Sequence, residues 1–310
     1  MSVIAVLGAN GRLGASVVQA FFEAGYKVIA VTKTGVAPAS SKIEYRAADA
    51  MDRDAVIKSC AGADFILNAL NLPYEKWHAQ AFTIAQNVIA AAKAHNAVHL
   101  FPGNVYNYGK GIPALCDENT KPTKPTPLGN IRLKMEAFFE ASAKRGDVKT
   151  IIIRAGDFYG AAKPGSWFDM GLCRKIDRGI FTYPGPMDVM HAWAYLPDLA
   201  ETFVGIAGQS QDLNMFEVFT FSGHSFTGNQ MCTYLENAAG KPLRATSLPW
   251  RMIKIGKLFV PSWRGISEMS YLWNRSHSLS DVKLKKVLGT IKQTPPEEAV
   301  KAAYKVLYAS

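Results

Sequence analysis

The chain has 310 residues, 48% hydrophobic and 19% charged, a globular composition with room for about two domains. No apolar run approaches the roughly 20 residues that span a bilayer, and Met1 to Leu7 lack the basic region of a signal peptide. A cytoplasmic protein with no membrane partner is therefore expected. The formal charge of +10 is spread along the chain without an aromatic–basic RNA motif or a helix-turn-helix pattern, so it favours anionic small ligands over nucleic acid. The cysteines Cys60, Cys116, Cys173 and Cys232 and the six histidines show no metal-ligand spacing, and no metal is expected.

In chain order, Val3 to Leu7 is a continuous apolar run of the kind a strand buried on both faces requires. A glycine loop follows, then Leu13, Val17, Val18, Phe21 and Phe22 at helical spacing up to Gly25. Lys27 to Val31 reads as a second buried strand, completing a strand–helix–strand unit of about 30 residues, the size of a parallel crossover. Strands are predicted around Ile43 to Arg46, Phe65 to Leu70, Val98 to Phe101 and Thr150 to Arg154. Helices are predicted from about Asp52 to Cys60, Trp77 to His95 and Ile131 to Arg145. This alternation predicts a doubly wound parallel α/β sheet over residues 1–160. Beyond it, glycines, prolines and tryptophans (Trp167, Trp193, Trp250, Trp263, Trp273) suit a smaller C-terminal substrate lobe over 161–310, with about 188–222 returning to the first domain. The polar, proline-rich segment from Pro113 to Pro127 reads as a long functional loop.

Gly8, Gly11 and Gly14 recur every third residue directly after the first strand and directly before the first helix. Such glycines allow a tight turn and close backbone approach to a pyrophosphate, and the helix N-terminus offers unpaired N–H groups and a positive dipole end. That is the fingerprint of a Rossmann dinucleotide site, here with Asn10, Arg12 and Leu13 in the loop. An NAD site usually places an acid about 20 residues on, on the ribose hydroxyls. This chain instead has Thr32, Lys33 and Thr34 at the end of strand two, a set suited to a 2′-phosphate, with Arg12 as a second phosphate partner. NADP is the favoured cofactor, and NAD stays open.

From these residues onward the chain resembles the short-chain dehydrogenase/reductase superfamily, in its extended, epimerase/dehydratase-like branch. Asp49 and Ala50 resemble the step that contacts adenine, and Asn68, Ala69 and Leu70 the strand end lining the cofactor ribose. Pro102, Gly103, Asn104, Val105, Tyr106, Asn107, Tyr108 and Gly109 resemble the loop after strand five. Arg154 to Gly160 resembles the segment leading into the substrate lobe. Tyr195 to Ala200 with Asp198, and Ser280 to Lys283 followed by Thr294 and Pro295, resemble later landmarks. The resemblance implies this fold, a nicotinamide cofactor and helices near residues 77 and 131 through which relatives form homodimers.

Relatives use a Tyr-x-x-x-Lys helix start with an upstream Ser or Thr. A free tyrosine titrates near 10, and the lysine charge favours its anion. On the matching through Gly129, Leu128 stands at the tyrosine position, Arg132 at the lysine position and Asn104 at the serine position. The chain thus resembles the atypical subgroup that keeps the nucleotide fold and lacks this motif. Replacement chemistry is expected from Tyr106, with Tyr108 as the alternative, from Asn104 polarising a substrate oxygen, and from Arg132 holding the ribose or a substrate anion. Arg132 could instead pair with Glu136, its i,i+4 neighbour. Asp157 and Tyr159 follow a strand end and could face the cleft, with a turn cap the favoured role for Asp157; His191 and Trp193 would line the substrate lobe, with interior packing the commoner explanation for both. The reading is an NADP-dependent oxidoreductase for a small carbonyl, imine or quinone-like substrate. A non-catalytic NADP(H) sensor is the alternative, and a nucleotide-sugar epimerase or dehydratase, which needs the absent tyrosine, ranks below both.

Overall fold

The computed structural model describes residues 1–39, 41–161 and 164–308. Seven parallel strands form its centre: β1 (Val3–Leu7), β2 (Lys27–Thr32), β3 (Glu44–Ala47), β4 (Phe65–Asn68), β5 (Val98–Asn104), β6 (Thr150–Ala155) and β7 (Phe216–Thr220). Their order is β7-β6-β5-β4-β1-β2-β3, so the chain winds outward to β3 and then returns to the other side of β1. β1 sits in register between β2 and β4, with Ile4 beside Val28 and Phe65. The β1/β4 boundary is therefore the topological switch point, where ligands of doubly wound sheets enter at the carboxyl ends of the strands.

Strand alternation builds two cores. Ile4 and Val6 face α1 (Arg12–Glu23), packing with Leu13, Val17 and Phe21 and with Leu199, Phe203 and Ile206 of a later helix. Ala5 and Leu7 face the opposite side, against Val56 of α2 (Arg53–Ser59), Ile84 and Val88 of α3 (Phe82–Ala94) and Met135 and Phe139 of α4 (Pro127–Lys144). The later helix, α5 (Leu196–Gly208), shares the first face with α1.

Several element ends differ from the sequence expectation, each for a local reason. α4 begins four residues early because Thr126 caps it, accepting from the Gly129 N–H at 3.1 Å, and Pro127 fits the first turn. The predicted helix from Trp77 opens as a π-turn, Trp77–Ala81, before α3 becomes regular. β4 ends at Asn68, and β5 runs three residues longer, to Asn104. The loop from Pro113 is not wholly irregular: Leu115–Cys116 pairs in parallel with Ser278–Leu279.

The remaining chain adds a three-stranded sheet of Asp157–Tyr159, His191–Tyr195 and His224–Phe226, packed around Phe168, Trp193 and Trp273. Asp198 on α5 accepts from the Thr294 N–H and hydroxyl, both at 2.7 Å, tying the C-terminal turn to the sheet domain.

Candidate functional site

At the switch point the glycine loop is sterically closed to side chains. Gly8 has φ +80°, and a methyl group there would fall 3.0 Å from the Ala69 carbonyl oxygen; one on Gly14 would fall 2.2 Å from the Gly8 carbonyl oxygen. Gly11 N–H donates to the Gly8 carbonyl at 2.8 Å and closes the turn. α1 then starts at Arg12 with no side-chain cap and no acid in its first turn, so its N-terminal N–H groups and dipole are offered to an anion. This cradle fits the pyrophosphate of a dinucleotide. Leu13 is buried beneath it, Asn10 lies exposed on the loop, and the Arg12 guanidinium reaches Gly165, with its Nε enclosed and lacking a hydrogen-bond partner.

The end of β2 departs from expectation. Lys33 is paired with Asp49 at 3.2 Å, both side chains largely exposed. The Met51 N–H, and then Lys33, hold the Asp49 carboxyl below its ordinary range. The Thr32 hydroxyl accepts from the Gly35 N–H at 2.9 Å rather than standing free. The Ala50 carbonyl accepts from Asn87 on α3. Lys33 and Asp49, assigned separately to phosphate and adenine, thus meet because opposite charges on neighbouring strand ends attract. An exposed pair of this kind is worth only about 0–1 kcal/mol, a weak hold against a competing phosphate.

Across the switch point, Asn68 is buried and its Oδ1 accepts from Leu70 N–H at 3.3 Å, while Ala69 N–H donates to the Leu7 carbonyl. A small cleft here is lined by Asn68, Leu70, Asn71, Leu72, Trp77, Ala81, Ile84, Arg132 and Met135. It brings three predicted site residues together: Asn68, Leu70 and Arg132. Pro102 and Gly103 lie on β5, where Gly103 serves packing: a methyl group would sit 2.7 Å from Cγ of Arg154.

Beyond β5 lie the residues expected to carry the chemistry. Asn104 caps the 3₁₀ turn Val105–Tyr108, its Oδ1 accepting from Tyr106 N–H at 3.0 Å, so that oxygen is engaged by the backbone rather than free to meet a substrate. Tyr106 is buried, and its hydroxyl meets that of Tyr74 at 2.8 Å. Burial pushes the Tyr106 phenol well above its ordinary value, as do Tyr74 and Asp157 nearby, while Arg132 opposes the shift. Arg132 is not paired with Glu136. Its guanidinium lies 4.6 Å from the Trp77 ring centroid and 5.2 Å from that of Phe101. Glu136 is claimed instead by Arg154, at 2.6 Å with both side chains nearly buried, and Asn107 also donates to it. Tyr108 joins this structural group, its hydroxyl donating to the Asp117 carbonyl and its ring facing Arg154.

Asp157 caps no turn; it lies in a strand and accepts from His191 Nε2 at 2.8 Å, because His191 comes from the neighbouring strand. His191 stacks on Trp273 with centroids 4.1 Å apart, leaving Nδ1 buried without a partner. Tyr74, Trp77 and His277 went unnoticed in the sequence. Two aromatics three residues apart just past the end of β4 were the available signal for the first two.

A family model described as the NAD dependent epimerase/dehydratase family matches residues 4–219. The chain belongs to the NAD-dependent epimerase/dehydratase family. No curated protein matches it. Among solved structures, it is similar to a candidate epimerase from Burkholderia cenocepacia J2315, with TM-score 0.80, 18% identity, and 100% and 99% of the two chains covered. MoeE5 in complex with UDP-glucuronic acid and NAD gives 0.78 at 15% identity over 99% and 98%. UDP-glucose 4-epimerase from Bifidobacterium longum in complex with NAD+ and UDP gives 0.77 at 16% over 99% and 98%. At these identities the likeness is one of fold.

Leu128, which the sequence matching sets at the tyrosine position, is buried among Val105, Tyr106, Tyr108 and Ile112. The helix start is tightly packed here: a methyl group on Gly129 would fall 2.5 Å from the Tyr106 carbonyl oxygen. Glu268 from the lobe accepts from Leu128 N–H at 2.7 Å, placing an acid on the α4 N-terminus.

Proposed function

We propose that this family member is an NADP-preferring reductase of a small carbonyl, imine or quinone-like substrate, with Tyr106 as its proton donor. The observation that carries the reading is the buried Tyr106 hydroxyl, hydrogen-bonded to Tyr74 at the carboxyl edge of the sheet, near Arg132. When bound, a reduced nicotinamide supplies hydride, and Gly8, Gly11, Gly14 and the α1 N-terminus are the groups that would hold its pyrophosphate. Tyr106 then gives the proton the reduced substrate needs, Tyr74, itself pushed up to about 12 by burial, passes its own proton on through the shared hydrogen bond, and water entering as product leaves returns one proton to Tyr74. Arg132 offers a fixed positive charge toward the forming oxyanion or the cofactor ribose. Lys33 and Arg12 support the phosphorylated cofactor.

A phenol with its pKa raised keeps its proton. It therefore meets the forming alkoxide, a much stronger base, as the neutral acid, and it is a poor base for taking a proton from a sugar hydroxyl. Tyr106→Phe tests the reading. With NADPH and a panel of aldehydes, imines and quinones, kcat is expected to fall about 10²–10⁴-fold while NADPH binding is unchanged. Turnover that survives the substitution removes Tyr106 from the mechanism. Cofactor binding with no turnover across the panel favours the sensor reading instead.

A further inference from the structure

The segment around the helix Trp250–Gly256 has no use in the chemistry above and presents an unusual surface. Met252, Ile255, Leu258 and Phe259 are 64%, 65%, 68% and 80% exposed, large apolar side chains spaced along one helix and the turn after it while Ile253 faces inward. Arg251, Lys254, Lys257 and Arg264 are exposed among them. No acidic residue occurs between Glu236 and Glu268, although that stretch holds Lys241, Arg244 and these four cations. Scattered apolar side chains on a surface need no explanation, but a contiguous protruding set marks a contact site.

We propose that this face docks on an anionic lipid bilayer, with Ile255, Leu258 and Phe259 entering the headgroup boundary and the flanking cations meeting lipid phosphates and carboxylates. Apolar tips ringed by Lys and Arg are the composition of an interfacial anchor, and the chain's net charge of +10 favours the same surface. A second copy of the chain fits poorly, because a self-complementary contact would set cations against cations with no acid in the segment to pair them. Among the described residues no helix is long and apolar enough to cross a membrane, so the attachment is peripheral and departs from the sequence expectation of no membrane partner. The next helix, Pro261–Glu268, carries Gly265 against Tyr74, where a methyl group would fall 2.4 Å from its Cβ, so the docking face adjoins the proposed site.

Co-sedimentation of the full chain with phosphatidylcholine vesicles, with and without 30% phosphatidylserine, tests this. Binding at least tenfold stronger to the anionic vesicles is expected, falling steeply as salt approaches 0.5 M, where screening shortens to about 4 Å. The exposed double substitution Leu258→Ser with Phe259→Ser should lower it at least tenfold with unchanged Tm and circular dichroism. Equal binding to neutral vesicles, or anionic binding that survives the double substitution, overturns the proposal. So does failure to bind either vesicle, including where the same substitution abolishes self-association or capture of an acidic protein.

Discussion

The two ends of the site obey different constraints. At the β1–α1 end, function resides in the backbone: three glycines stand where a methyl group would strike carbonyl oxygens, and the helix N-terminus does the rest. At the β5–α4 end the backbone is equally crowded, with Gly129 against Tyr106 and Thr126 capping α4, and on the proposed reading the side chains at the positions of the family chemistry are different ones. A cofactor cradle made of backbone tolerates little substitution. An end made of side chains can be rewritten on the same frame, and the sequence matching proposes this for Leu128, which is buried with Val105, Tyr106 and Tyr108.

The largest effect expected is that of acid, which bears on β5 and on the strands around the His191–Asp157 pair and spares the glycine loop. His99 on β5 and His277 beside the His191–Asp157 pair are lowered to about 3, in each case chiefly by burial. Both are therefore neutral when folded, while the unfolded chain binds their protons below about 6.5. The stability is complete above that value and is lost as pH falls toward 3, at up to about 1.4 kcal/mol per pH unit for each histidine. Urea unfolding at pH 7, 6 and 5 should show the decline, and His277→Gln should shallow its slope. Next, Glu136→Ala should cost about 3–5 kcal/mol in urea unfolding, because Arg154 is left as an uncompensated buried charge. A loss below 1 kcal/mol would mean that the chemical end is not held by that pair. Smaller, at about 1–3 kcal/mol, is the overpacking cost of Gly14→Ala, which should also abolish cofactor binding. Retained binding in that variant would break the contrast between the two ends.

Much of the frame was legible in the sequence because periodicity and glycine placement are backbone statements. β1, α1 and β2 follow from the apolar run, the three glycines and the return of the apolar pattern at Lys27. Asn68 and Leu70 were placed by their resemblance to the family's strand-four end and Arg132 by its position on the helix after the proline-rich loop, and the cleft brings the three together. Side-chain partners were not legible, because they depend on elements distant in sequence. Arg154 reached Glu136 from β6 before Arg132 could, Lys33 found Asp49 across adjacent strands, and His191 took Asp157 out of a turn. Tyr74 gained its place only when β4 and β5 came side by side and set its hydroxyl against Tyr106.

Fluorescence titration of the purified protein with NADPH and with NADH decides whether the glycine loop holds the proposed cofactor. Saturable binding is predicted, tighter for NADPH, with the preference narrowed by Lys33→Ala. Equal or tighter NADH binding would contradict the phosphate assignment. Binding of neither nucleotide would contradict the account as a whole, leaving the glycine loop as a fold element kept for another ligand.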